Sequence, residues 1–242
     1  MKLFELRNIW EPAELVRFLI TANIVMFATA IFILPGTVDT SLNPMQFLAP
    51  DYRVLFKLGA SGTGPVLSEH RWWSVITANY LHGSLLHLLI NVSALSSVGK
   101  ITVDIFKPSR FFLIYFLGGV TSMAASSFAG ITLTIGSSGA ICALIGAMSY
   151  DDWRTHKGNL KMRIASIGVW VLFLVIIGFA MPNVNNWAHG VGYASGFFFG
   201  FCFWPREFKK RASPEEAAFF RISASACMLI TIAALIYGLL FS

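Results

Sequence analysis

Charge is what this chain has least of. Asp, Glu, Lys and Arg make up 12% of its 242 residues, against 56% hydrophobic ones, where a water-soluble domain needs about a quarter charged. An ordinary soluble surface is excluded, and a mean hydropathy of +0.67 puts much of the exterior in lipid. Cysteine is scarce too. Cys142, Cys202 and Cys227 lie in apolar stretches with no C-x-x-C pair and no metal-ligand spacing, so they read as packing residues and no metal or cofactor is expected. The nine prolines and the few short polar stretches leave no room for a separate extramembrane domain. One membrane domain over 1–242 is therefore expected. No acid lies at the centre of any apolar stretch, which argues against a transporter built on paired intramembrane acids. A cleavable leader is not expected either, because the first apolar run, roughly 18 to 36, is long enough to stay in the bilayer.

The net charge of +6 does not point to nucleic acid, since the basic residues fall in short groups between apolar runs. A helix needs roughly 20 residues to cross the hydrocarbon, and the apolar stretches divide into seven such spans. They are expected near 16–36, 80–99, 109–129, 138–150, 163–181, 187–204 and 219–241, with hairpin breaks at Gly130 to Gly136 and at Met181-Pro182-Asn183. Lys and Arg then alternate by side. Fifteen of the 18 basic residues fall at the N-terminus and on the second-to-third, fourth-to-fifth and sixth-to-seventh connections, which predicts an N-in, C-out topology. The first connection, 37–79, mixes turn glycines with bulky apolar residues and ends in Arg71-Trp72-Trp73. It reads as a segment partly embedded at the outer interface.

The fourth span is short. Ser138 to Tyr150 is 13 residues, about 20 Å of helix against a core of about 30 Å, so with Asp151 at the cytoplasmic surface it starts well below the outer one. Non-helical backbone at that depth needs protein or water around it, and a wet cavity opening outward follows. On the same ruler His189 stands about 22 Å up the sixth span, His87 about 20 Å up the second and Asn91 about 14 Å. Polar side chains sharing a depth in the membrane mark a shared site. His87 and Asn91, four apart, share a helix face. Gly192, Gly196 and Gly200 repeat at four, as do Gly139, Ala143 and Ala147, and small faces let backbones approach closely. If those faces meet, Ser138 is carried toward His189, within the 2.6 to 3.2 Å or so at which a base activates a hydroxyl. With no Asp or Glu at this depth, the chemistry would be that of a Ser–His dyad. Free N–H groups at the start of the fourth helix, with Asn91 and His87 across the cavity, would serve the oxyanion. Ser137 is a minor alternative as nucleophile.

These residues resemble the rhomboid family of intramembrane serine proteases. The resemblance rests on His82-x4-His87-x3-Asn91, Gly136-Ser137-Ser138-Gly139 and Ala188-His189-Gly190-Val191-Gly192 with Gly196 following, in the family's order, and it covers roughly 70 to 205. It implies an all-α, polytopic, rhomboid-like six-helix core at 16–204 with an additional seventh helix at 219–241, the six-plus-one form. It further implies a serine endopeptidase with Ser138 as nucleophile, His189 as base and then acid, and His87, Asn91 and the Ser138 N–H as the oxyanion hole. His82 would support the outer mouth, and Gly136, Gly139, Gly192 and Gly196 the close packing. Substrates would be transmembrane proteins reaching the site laterally from the lipid past the second and fifth helices. A bacterial inner membrane is the expected location. Three departures stand out: Trp73-Ser74 where the family often has Trp-Arg, Cys142 where a Tyr often packs on the catalytic His, and only Asp104 near the acid expected after the second helix.

Overall fold

A computed structural model describes residues 9–33, 38–156, 160–163, 168–180, 184–204 and 213–240. The architecture is all-α. Its helices are α1 (Pro12–Phe32), α2 (Tyr52–Lys57), α3 (Ser74–Thr77), α4 (Leu85–Phe106), α5 (Pro108–Phe128), α6 (Ser138–Thr155), α7 (Leu160–Arg163), α8 (Val169–Ala180), α9 (Asn186–Phe203) and α10 (Pro214–Leu240). Four of them, α1, α4, α5 and α10, are long and apolar enough to cross a membrane on length and composition alone. The chain is a polytopic membrane protein.

The remaining expected spans fall short of that measure for physical reasons. In α6 the last turn carries Asp151, Asp152 and Arg154. α9 is diluted by glycines and by Asn186 and His189. Among the described residues α8 covers 12, and the expected break at Met181-Pro182-Asn183 lies outside them.

Three helix ends overrun the expected positions in the same way. α6 runs on to Thr155, α4 to Phe106, and α10 starts at Pro214, so each extends past the charge taken as its limit. A charge-free run measures the lipid a segment crosses, whereas a helix continues until a backbone signal stops it. For α10 the signal is Pro214 at the first helical position with Glu215 and Glu216 in the first turn. For α4 it is Pro108, which disfavours helical geometry at the residue before it. Lys107 takes φ +67° there and is the only residue between α4 and α5. At its other end α4 starts at Leu85 rather than near 80, because Ala78–Tyr80 form a separate 3-10 turn and Ser84 Oγ accepts the His87 N–H as a cap at 3.2 Å.

α6 is the central post. Every residue from Gly139 to Tyr150 is buried, packed against α9, α5 and α4. The expected small faces meet: a Cβ added at Gly192 would strike Gly139 O, one at Gly196 would strike Ala143 O, and one at Gly200 would lie 2.9 Å from Ala147 Cα. Lipid gives helices no hydrophobic reason to associate, so close backbone packing must hold them together. Cys142 is buried in this contact, whereas Cys202 is exposed on α9 and Cys227 half-buried on α10. Cys142 and Cys227 thus pack in or against the core, and Cys202 does not.

The first connection packs as a structured element. Val54, Leu58, Ala60, Val66, Thr77 and Ala78 are buried, and Ser61 pairs with Thr134 in an antiparallel bridge. α10 is fastened at both ends. Arg110 Nη2 donates to Glu216 Oε1 at 2.9 Å with its guanidinium over Phe220, and near the other end Gly238 lies against Trp73 and Leu58 O. Arg71 stacks on Phe56 and Trp73 and donates to Lys57 O at 3.2 Å. That guanidinium holds the first connection together from outside the Trp73-Ser74 step.

Candidate active site

Ser138 is the first residue of α6. The chain reaches it through Gly130 and Gly136, both at positive φ, the latter at +111°, a conformation that costs glycine nothing. Gly136 N–H donates to Ala78 O at 2.8 Å, so the first connection holds this segment from one side. A Cβ on Gly136 would also come within 2.8 Å of His87 Nε2 and 4.0 Å of Ser138 Oγ. The missing side chain is the room in which those two groups face each other. Gly136→Ala is therefore expected to strain the backbone and displace His87, abolishing most turnover while leaving the helices folded. Circular dichroism together with a cleavage assay on the purified variant checks this.

Ser138 Oγ and His189 Nε2 are 2.9 Å apart. The close approach of α6 and α9 brings them together, because Gly139 and Gly192 sit at the contact just inside them. His189 Nδ1 is buried and has no hydrogen-bond partner among the described residues, so no carboxylate among them orients the ring as in a triad. Leaving a buried donor unmet costs about 1–3 kcal/mol.

His87 and Asn91 stand on α4 across the cavity. His87 Nδ1 accepts the Gly83 N–H at 3.4 Å, which in the neutral ring leaves the proton on Nε2, the nitrogen facing Gly136. Asn91 Nδ2 donates to His87 O at 2.9 Å, leaving its second amide hydrogen for another acceptor. His82 is fully buried and packs edge-on against His87, ring centroids 5.0 Å apart.

A cavity of about 530 Å³ joins these groups. Ser138, His189, His87 and Asn91 line it, with Ile90 and Ala94 of α4, Phe173 of α8 and Met45 and Gln46 of the first connection. Ser137 is buried behind it and is not among the lining residues; the bond to His189 is made by Ser138 alone of the two serines. Cys142 lies one turn below Ser138, 3.3 Å from where a Gly192 Cβ would stand. Asp104 is exposed on α4, away from the cavity.

Asn185 is the residue the sequence reading passed over. Its Oδ1 accepts the Ala188 N–H at 3.1 Å, capping α9, and its Nδ2 reaches Ser126 and Thr134. An Asn three residues before a helical N–H is a capping signal. It was hidden because the break had been assigned to Met181-Pro182-Asn183.

A serine hydroxyl hydrogen-bonded to a histidine ring, in a cavity enclosed by membrane helices, defines the class of protein. The chain matches the rhomboid domain family over residues 69–206. It is 29% identical to RHOMBOID-like protein 1 of Arabidopsis thaliana over 236 residues, covering 87% of this chain and 59% of that protein. It is 33% identical to Rhomboid protease GluP of Bacillus subtilis (strain 168) over 180 residues, 72% of this chain and 33% of that protein. A third relative, Inactive RHOMBOID-like protein 8 of Arabidopsis thaliana, is 35% identical over 161 residues, 64% of this chain and 44% of that protein. The chain thus spans between a third and three fifths of the length of the first two relatives. It belongs to the rhomboid family.

Proposed function

We propose that this protein is an intramembrane serine endopeptidase that cleaves peptide bonds in or near transmembrane segments through an acyl-enzyme. The observation that carries the reading is the 2.9 Å contact between Ser138 Oγ and His189 Nε2 at the head of a buried helix. Membership of a family that includes a named protease supports it.

In this reading His189 Nε2 takes the proton of Ser138 as Oγ attacks the scissile carbonyl, then passes it to the leaving amine. Charge develops on the carbonyl oxygen, where the Ser138 N–H at the open first turn of α6, His87 Nε2–H and the free amide hydrogen of Asn91 converge. Water then enters the cavity and hydrolyses the ester, with His189 as base. No metal or cofactor takes part in these steps. His82 supports His87, and Gly136, Gly139, Gly192, Gly196 and Cys142 fix the spacing of the parts.

A substrate helix would reach the cavity from the lipid between α4 and α8, where Ile90, Ala94 and Phe173 form the wall. It must unwind locally to offer its carbonyl, so Gly, Pro or polar residues near the bond are favoured. The chain is read as one membrane domain, a six-helix core over 16–204 with 37–79 partly embedded and a seventh helix at 219–241. It is oriented N-in and C-out in a bacterial inner membrane.

Cleavage of a panel of tagged single-span substrates in liposomes by wild type and Ser138→Ala tests the proposal. Products from wild type alone are expected, and equal products from both would remove Ser138 from the mechanism.

A further inference from the structure

Asn185 stands four residues before His189, and Thr134 four before Ser138. The two upstream residues touch. Asn185 Nδ2 donates to Thr134 Oγ1 at 2.9 Å and to Ser126 Oγ of α5 at 2.8 Å, while its Oδ1 caps α9. Both amide hydrogens and the carbonyl oxygen are thereby used. A cap needs only the oxygen, and Ser or Asp supplies one equally well. The amide end is committed instead to the segment that leads to the nucleophile. Thr134 is itself a fixed point, 4% exposed and paired with Ser61 through both backbone bonds, at 3.1 and 2.7 Å.

We propose that Asn185 is a positioning residue: its amide group sets the height of α9 against the Thr134 segment, so that His189 Nε2 meets Ser138 Oγ. The proposal rests on the serine-protease reading. Two observations make such a clamp necessary. Among the described residues His189 Nδ1 has no hydrogen-bond partner, so no second hydrogen bond holds the ring from its far side. Near Ser138 and His189 the α6/α9 contact is built from small residues, which set how close two helices come better than how far one slides along the other; the Trp204–Asp151 hydrogen bond and the Tyr150 ring contacts that also tie these helices lie toward their other ends. A hydroxyl–imidazole contact misplaced by about 1 Å can lose roughly a hundredfold in rate.

The test compares wild type, Asn185→Ser, the pair Ser126→Ala/Thr134→Val, and all three changes together, in liposomes. Asn185→Ser keeps a capping oxygen but is too short to reach α5 and the loop; the pair keeps the whole cap and removes the two hydroxyl acceptors, at the loss of one bond within α5 from Ser126 Oγ to Ser122 O. The readouts are the rate at which a fluorophosphonate labels Ser138, and kcat and KM on a single-span substrate. Asn185→Ser and the pair are each expected to lower labelling rate and kcat roughly ten- to a hundredfold. KM should stay within about twofold, and the triple change should be no slower than Asn185→Ser, since all remove one interaction. Wild-type rates in the pair, a rise in KM at unchanged kcat, or losses that multiply in the triple change would each overturn the proposal. Should Asn185→Ser fail to fold, the pair decides alone. Wild type that neither labels nor cleaves would overturn the protease reading and this one with it, whereas active wild type with equally active variants would overturn this one only.

Discussion

His189→Ala is expected to lower kcat by roughly four to six orders of magnitude, and Ser138→Ala by a similar factor, with the double variant no worse than either alone. The two side chains form one hydrogen-bonded unit at 2.9 Å, so removing one member leaves the other nothing to act on. Single-turnover cleavage by the four proteins gives the answer. Losses that multiply would mean that the two act independently and that the 2.9 Å contact is only structural. His87→Ala and Asn91→Ala should each cost less, because they supply separate donors to one oxyanion. About 10² to 10³ in kcat is the usual consequence of losing one such donor.

The largest effect on stability is expected from Gly196→Val. A side chain there would enter the backbone of α6 at Ala143, both the carbonyl and Cα, and neither helix can yield without parting at this close backbone contact. A loss of about 3 kcal/mol or more is expected. The comparison is Gly190→Ala on the same helix, where an added Cβ meets nothing within 4 Å; it should be neutral or slightly stabilising, since Ala favours helix over Gly by about 1 kcal/mol. Unfolding in mixed micelles measures both. Equal stabilities would mean that α9 is not held by its small face.

The two expectations differ in how openly the sequence announces them. The four-residue repeat of small side chains on α6 and α9 was legible because, in lipid, close approach leaves its mark directly in residue size. Helix rise and charge positions also pointed to Ser138, His189 and His87 together, and the three line one cavity. The ends of α4 and α10 were less so, since they are decided by Pro108 and Lys107 and by Pro214 with Glu215 and Glu216 rather than by hydropathy. The turn glycines and bulky apolar residues of the first connection do not announce the pairing of Ser61 with Thr134, which leaves no periodic signal in two residues. Asn185 was missed for the same reason. Its three hydrogen bonds reach partners up to 59 residues away, and nothing local in Val-Asn-Asn-Trp announces two of them.

Lys107, alone between α4 and α5, leaves no slack at one end of that pair. Two helices joined by a single residue cannot slide past one another or separate there, so relative motion is confined to rotation about that corner, like the legs of a compass. His87 and Asn91 lie near the opposite end of α4, His87 about 28 Å from the corner at 1.5 Å per residue. At that radius a tilt of about 5° moves the imidazole by roughly 2.5 Å, nearly the length of a hydrogen bond. Small angular changes at the Lys107 corner are thus magnified at the level of Ser138.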